Sequence, residues 1–159
     1  MTYSAAVITV SDRSSRGERE DVSGPIAVAA LREAGFACGD PVVVPDGADS
    51  VEAALRDALT DGIRVIVTTG GTGLGPRDET PEGTRRVITR DVPGIAEELR
   101  RRATAEKPGG MLSRGVTGIA EAAFIVNLPG SPAAVRAGIP VVVAVAPHVL
   151  EQLRGEDHR

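Results

Sequence analysis

The sequence predicts an α/β protein with a parallel, doubly wound sheet, and three observations carry that prediction. Short β-branched apolar runs alternate with helical stretches along the 159 residues, which is how strands joined by crossover helices read. Two of those runs end in glycine-containing turns that open onto helix starts, one after Thr69 and one after Leu128. Aromatic residues make up only 2% of a chain that is 42% hydrophobic. Ala, Val, Ile and Leu must therefore fill the core, which suits helix-on-sheet layers better than an aromatic-rich β-sandwich.

The elements follow in order. Tyr3–Val10 reads as the first strand, and the polar loop Ser11–Val22 follows it. That loop reads either as a ligand loop beyond a strand's carboxyl end or as a surface excursion. A helix is predicted over Gly24–Ala34, with Ser23 as its cap and Gly35 as its stop. Pro41–Pro45, PVVVP, reads as a short buried strand ending at Asp46-Gly47. Val51, Ala54, Leu55, Ala58 and Leu59 form one apolar helical face. Asp49 and Glu52 have capping-box spacing at its start, and Gly62 ends it. Ile63–Thr69 is the next strand, and its β-branched run is that of a buried one.

After the turn, Pro81–Thr89 is predicted helical, with Thr80-Pro81 as its start. Pro93-Gly94 punctuates the chain. Ile95–Lys107 forms another helix, with Ile95, Leu99 and Ala103 inward, and Pro108-Gly109-Gly110 breaks it. Met111–Gly115 reads as a loop or short helical turn. Val116–Ala120 is weakly strand-like and Phe124–Leu128 strongly so. Ser131 caps the final helix and Pro132 opens it. By propensity alone, Ile139–Ala146 looks like a strand and Pro147–Arg154 a helix.

Composition narrows the function. The length suits one domain, predicted over residues 1–155, with 156–159, including His158, as a mobile tail. A net charge of −4 gives no support to a non-specific nucleic-acid surface. Arg100-Arg101-Arg102 reads as a solvated helix face or as a local basic patch. One cysteine, Cys38, and two histidines, His148 and His158, leave no zinc cluster and no intramolecular disulfide. No signal-peptide pattern is evident, and no stretch approaches the ~20 apolar residues of a membrane span. The expectation is a cytoplasmic protein without nucleic-acid or membrane partners.

The candidate chemistry lies at the strand ends. If the sheet is parallel, one edge collects Ser11 and Asp12, Asp46, the turn Gly70, Gly71, Thr72 and Gly73 with Asp78, and finally Gly130 and Ser131. Glycines let a backbone approach an anion, and free N–H groups at a helix start face negative charge. The turn is not a P-loop, because no Gly-Lys-Ser/Thr follows, and it matches GxGxxG only in part. Read alone it is either an anion site or a tight turn. Asp46 reads as a Mg²⁺ ligand or as the turn former of Pro45-Asp46-Gly47. Asp78 reads as a Mg²⁺ ligand, a helix cap or an ion-pair partner of Arg77. Carboxylates beside glycine donors fit Mg²⁺-dependent phosphoryl or nucleotidyl transfer. No Ser–His–Asp set argues for a hydrolase, and the sole lysine, Lys107, is not placed like a Schiff-base lysine.

These residues resemble those of the MoaB/Mog molybdenum-cofactor biosynthesis proteins, a family that includes the G domain of gephyrin. The resemblance runs from Thr9–Asp12 to Pro147–Gly155. Its motifs are TTGGTG at Thr68–Gly73, PRDETPE at Pro76–Glu82, LSRG at Leu112–Gly115 and NLPGSP at Asn127–Pro132. The resemblance implies a three-layer α/β/α sandwich with a mostly parallel sheet, a homotrimer, and a helix over the Ile139–Ala146 tail. It implies Mg-ATP-dependent adenylylation of molybdopterin, giving adenylyl-molybdopterin and pyrophosphate, and hand-over to a molybdate-insertion protein. By likeness, Asp46 and Asp78 are catalytic and handle Mg²⁺. Gly70–Gly73, Ser113, Gly130 and Ser131 line the pterin and phosphate site, and Ser11 and Asp12 match a ligand-side loop.

Two other functions fit the same motifs. One is a molybdopterin-binding carrier or scaffold without catalysis; family members lacking the Arg-Asp dipeptide stand nearer to it, and this chain keeps Arg77-Asp78. The other is the CinA-type use of the domain on nucleotide-derived pyrophosphates, which the lack of an extra domain in this sequence disfavours.

Overall fold

A computed structural model describes residues 1–155. The expected tail at 156–159, with His158, lies outside the described residues. Seven strands form one sheet: β1 Ser4–Val10, β2 Ala37–Cys38, β3 Val42–Val44, β4 Val65–Thr69, β5 Arg90–Asp91, β6 Thr117–Ala120 and β7 Ala123–Leu128. The order is β2-β1-β4-β7-β6-β5, with β3 also pairing β1 beyond β2. The β1, β2, β3, β4 and β7 pairings are parallel, and β6 runs antiparallel to both β7 and β5. The mostly parallel sheet is therefore closed at one edge by an antiparallel hairpin.

Period-2 alternation sends each central strand's side chains to two cores. Ala5, Val7, Val65, Val67, Phe124, Val126 and Leu128 face one, while Ile8, Val10, Ile66, Ala123 and Ile125 face the other. The first core is covered by α2 (Ser23–Glu33), α5 (Pro93–Glu106) and α6 (Pro132–Leu153). The second is covered by α3 (Ala48–Thr60) and by Val87 and Ile88, which follow α4 (Thr80–Arg85), a short helix packed against α3. Helices on both faces make the three-layer α/β/α arrangement.

Several local readings need correction. The loop after β1 is not wholly irregular, since Asp12–Ser15 forms the short helix α1. Ser23 is not a cap but the first helical residue of α2, and its hydroxyl donates to the Gly130 carbonyl at 2.7 Å. Asp21 takes over, accepting from the Gly24 N–H at 2.9 Å. The PVVVP strand is short as expected but not buried: β3 is an edge strand, and Val42 is 53% exposed. Its β-branched composition registers strand geometry, not position in the sheet. Flanking prolines at 41 and 45 blunt that edge. Asp49 and Glu52 form no capping box, because both face Arg86, and Glu79 instead accepts from the Ala48 N–H at 2.9 Å. The helix after the glycine turn stops at Arg85, shorter than the predicted Pro81–Thr89.

The tail is one helix from Pro132 to Leu153, as the family resemblance implies and against the strand propensity of Ile139–Ala146. Val135, Ile139, Val142, Ala146 and Leu150 make a buried stripe on α6, and packing of that stripe on the sheet overrides propensity. An 18-residue window of α6 has mean hydropathy 1.7, so by length and composition the helix is apolar enough to cross a membrane. The expectation that no stretch comes near a span is corrected on that point. Arg136, Pro140 and Pro147 interrupt the run in sequence and hid it.

One buried polar cross-link ties the layers. Asn127 of β7 donates to the Thr68 hydroxyl at 2.9 Å and the Thr84 hydroxyl at 3.0 Å, and its Oδ1 accepts from the Val116 N–H at 3.1 Å. All these groups are buried. Asn127→Leu strands the Val116 N–H and removes both hydroxyl acceptor bonds. We expect a loss of about 3 kcal/mol, read as a lower urea midpoint at unchanged m-value. A change under about 0.5 kcal/mol would show that the cross-link does not hold the layers.

Candidate active site

The carboxyl ends of β1, β3, β4 and β7 lie along one edge of the sheet, as the parallel pairing requires. β1 delivers Ser11 and Asp12. Ser11 is extended, with φ −163°, and its Oγ accepts from the Ser14 N–H at 3.1 Å, so it caps α1. β3 delivers Asp46. Asp12 and Asp46 bond reciprocally: the Asp12 N–H donates to Asp46 Oδ2 at 2.9 Å, and the Asp46 N–H donates to Asp12 Oδ1 at 3.1 Å. Arg77 closes this unit, with Nε and Nη2 each 3.1 Å from an Asp12 oxygen and Nη2 2.9 Å from the Asp46 carbonyl.

The electrostatics of the two aspartates diverge. The Arg77 guanidinium bonded to Asp12 holds that carboxyl below its ordinary value. Burial pushes Asp46 up, and the negative charges of Asp12 and Asp78 add to the rise. Asp46 is thus a half-buried carboxylate with two like charges near it and Arg77 turned mainly toward Asp12.

β4 delivers the glycine turn. Gly70 has φ +99°, and a Cβ there would lie 2.2 Å from the Val10 carbonyl oxygen, so the turn can touch β1 only as glycine. The Thr80 hydroxyl donates to the Gly70 carbonyl at 2.8 Å and its N–H to the Gly71 carbonyl at 3.1 Å, folding the far end of the loop back onto the strand. A Cβ at Gly71 would lie 3.3 Å from Asp46 Oδ1, which places that carboxylate against the turn. Asp78 Oδ2 accepts from the Gly75 N–H at 2.9 Å, and Cβ atoms at Gly73 and Gly75 would come within 3.0 and 2.8 Å of the same oxygen. Asp78 neither caps α4 nor pairs with Arg77; it lies over its own loop.

β7 delivers the second turn. A Cβ at Gly130 would sit 3.2 Å from Gly70 Cα, so the two turns abut. Ser131 caps α6 as expected, its Oγ accepting from the Ala134 N–H at 3.1 Å. Ser113 stands apart from the aspartates. With Ser131 and Asn127 it lines a cavity of about 630 Å³ whose walls include Leu99, Ala103 and Leu128. That volume and apolar lining suit a small organic ligand. Cationic side chains border it: Arg100, Arg102, Lys107 and Arg136, against one carboxylate, Glu106.

The structure therefore sorts the predicted residues into two neighbouring groups. Asp12, Asp46, Asp78 and Gly70–Gly73 form one, and Ser113 and Ser131 belong to the other, with Gly130 and the Arg114–Thr72 backbone bond of 2.8 Å between them. Among the described residues, no group of three or more His, Cys, Asp or Glu side chains is arranged to hold a metal. The Arg100–Arg102 run divides: Arg101 and Arg102 pair with Glu98, whereas Arg100 turns inward to the carbonyls of Ser113 and Gly115.

Sequence reasoning missed Arg114. Its Nε is 2.9 Å from the Gly73 carbonyl, its Nη2 2.6 Å from the Asp78 carbonyl, and its Nη1 meets Glu82. These partners lie 32 to 41 positions away, so no spacing rule finds them. Its place inside Leu112–Gly115 was the one available signal.

Residues 6–149 match the profile of a family described as "Probable molybdopterin binding domain". The chain is 40% identical over 154 residues to a molybdenum cofactor biosynthesis bifunctional protein of Synechococcus elongatus, covering 97% of this chain and 48% of that protein. It is 35% identical to a molybdopterin adenylyltransferase of Pyrococcus furiosus, covering 96% of this chain and 92% of that one. Among solved structures, the molybdopterin biosynthesis Mog protein of Mycobacterium ulcerans superimposes with a TM-score of 0.91 at 42% identity, covering 96% of this chain and 99% of that one. The chain spans about half or less of several curated relatives it matches, from 49% down to 21% of their length.

Proposed function

The chain belongs to the molybdopterin-binding domain family, and from that premise we propose that it acts in molybdenum cofactor biosynthesis as a molybdopterin adenylyltransferase, with Mg-ATP as co-substrate. One observation carries the reading. A carboxylate pair, Asp46 and Asp78, lies against the glycine turn, and that turn abuts at Gly130 the second turn, whose Pro129 and Ser131 line an apolar, cation-bordered cavity of about 630 Å³. Relatives of matching length carry that enzyme's name.

The reaction joins two anions. The terminal phosphate of molybdopterin attacks the α-phosphorus of ATP; a new P–O bond forms, the bond to the bridging oxygen breaks, and pyrophosphate leaves. The cavity seats the pterin, with Ser113 and Ser131 in its lining. Backbone donors of Gly71–Gly73 hold phosphate oxygens. Asp46 and Asp78 would hold Mg²⁺, and Arg77 keeps Asp12 and Asp46 in register. The donor set fits that ion: Mg²⁺ takes one or two carboxylates and completes its shell with phosphate oxygens and water. The like-charge crowding at Asp46 is what a cation would relieve. Mg²⁺ supplies charge neutralisation between the two reactants.

Incubating the protein with molybdopterin and Mg-ATP, then resolving the products by mass spectrometry, is expected to show adenylyl-molybdopterin. Tight molybdopterin binding with ATP left intact would replace the enzyme by a carrier. The relatives named bifunctional hold this domain in chains about twice as long. That fits a product passed to a second activity, here a molybdate-insertion protein. For assembly we propose a homotrimer, as the family resemblance implies, with Pro140 and Ala144 of α6 exposed outside the cavity lining. Light scattering should give three times the 16.4 kDa chain mass, and the mass of one chain would contradict this.

A further inference from the structure

We propose that Arg114 is the positioning residue of this site: it clamps the Asp78 loop to the wall of the cavity and so keeps the two substrate seats in register. The inference rests on the adenylyltransferase reading and deepens it.

The loop from Gly71 to Glu79 carries Asp78, yet its tip is exposed, with Leu74 68% accessible. Four glycines in Gly70–Gly75 would leave such a segment loosely ordered by itself. Four contacts from one residue counter that freedom. The Arg114 N–H donates to the Thr72 carbonyl at 2.8 Å. Its guanidinium reaches the Gly73 carbonyl at 2.9 Å, the Asp78 carbonyl at 2.6 Å and the Glu82 carboxylate on α4. The clamp thus holds both ends of the Gly73–Asp78 excursion and the helix that follows it.

The other side of Arg114 is also fixed. Its neighbours Ser113 and Gly115 line the cavity, and the Arg100 Nη1 bonds their carbonyls at 3.3 and 2.8 Å. One short segment therefore touches the organic-ligand seat on one side and the carboxylate loop on the other. A planar fork of donors suits this task, since it sets several acceptors at fixed spacing; a lysine ammonium does not. Arg114 itself lines neither the cavity nor the Asp46–Gly71 contact, so its effect passes through the loop.

The test compares the full chain with Arg114→Met, Arg114→Lys and Glu82→Gln. Arg114→Met should lower kcat about 10²-fold, the cost of a reacting group displaced by about 1 Å, while the molybdopterin Kd stays within about threefold. Hydrogen exchange should quicken at least about tenfold in peptides spanning 71–79 and stay unchanged in β4 and α6. Arg114→Lys should remain at least about tenfold below the parent. Glu82→Gln, which takes the charge from one tie, should fold normally and lose kcat a few-fold, so the clamp stays testable even if Arg114→Met does not fold. Turnover within about threefold for Arg114→Met with unchanged loop exchange would overturn the proposal. So would a molybdopterin Kd weakened as much as kcat, or exchange raised uniformly across the fold. If the parent forms no adenylyl-molybdopterin, the functional reading falls, and loop exchange still decides what Arg114 does.

Discussion

Asp78→Asn is expected to abolish most turnover while molybdopterin still binds. The substitution keeps the size of the side chain and its acceptor for the Gly75 N–H, now 2.9 Å from Oδ2, so the loop retains its shape. On the proposed mechanism it removes one of the two charges that would hold Mg²⁺. Several kcal/mol of charge stabilisation lost in the transition state correspond to a fall in kcat of about 10²–10³-fold. Asp46→Asn should act similarly. Ser113 and Ser131, in the cavity, stand apart from both aspartates, so molybdopterin affinity in either variant should stay within about threefold, checked by fluorescence titration of the pterin. Parent-like turnover by Asp78→Asn would remove that residue from the chemistry.

Gly70→Ala carries the largest expected effect on stability. Its Cβ would lie 2.2 Å from the Val10 carbonyl oxygen, a backbone atom of a central strand that cannot rotate away. The residue also sits at φ +99°, where an L side chain is strained. Strain and overpacking together should cost about 3–5 kcal/mol. For a domain of this size the melting temperature falls by about 10 °C or more. Gly130 packs against Gly70, so the second turn shifts with the first. A melting temperature within about 2 °C of the parent would show that the β1–β4 contact tolerates a methyl group. Gly17→Ala is the matched control, since it has positive φ but no atom within 4 Å.

What could be read from the chain alone depended on whether its cause was local. The glycine turn after Thr69, the α3 face and the Ser131-Pro132 start are local events, written in adjacent residues or helical spacing. The meeting of Asp12, Asp46 and Gly71 was readable at one remove, because parallel strands must bring their carboxyl ends together. Facts set by pairing partners stayed hidden. Val42–Val44 has the composition of a buried strand, but its solvent exposure depends on lying at the sheet edge. Arg77 sits beside Asp78 in sequence, yet reaches across to Asp12, 65 positions away. Arg114 had no acidic neighbour to betray its role, and its acceptors are mostly backbone carbonyls, which every sequence offers. Ile139–Ala146 failed for the opposite reason: its propensity is clear, and packing on the sheet overrules it.

The most direct measurement is pyrophosphate release from Mg-ATP by the purified protein, with and without molybdopterin, beside Asp46→Asn and Asp78→Asn. Release that requires molybdopterin, matches it mole for mole and collapses in both variants is the expected result. Tight molybdopterin binding with no pyrophosphate formed, or release that both variants sustain, would contradict the assignment of these carboxylates to adenylyl transfer.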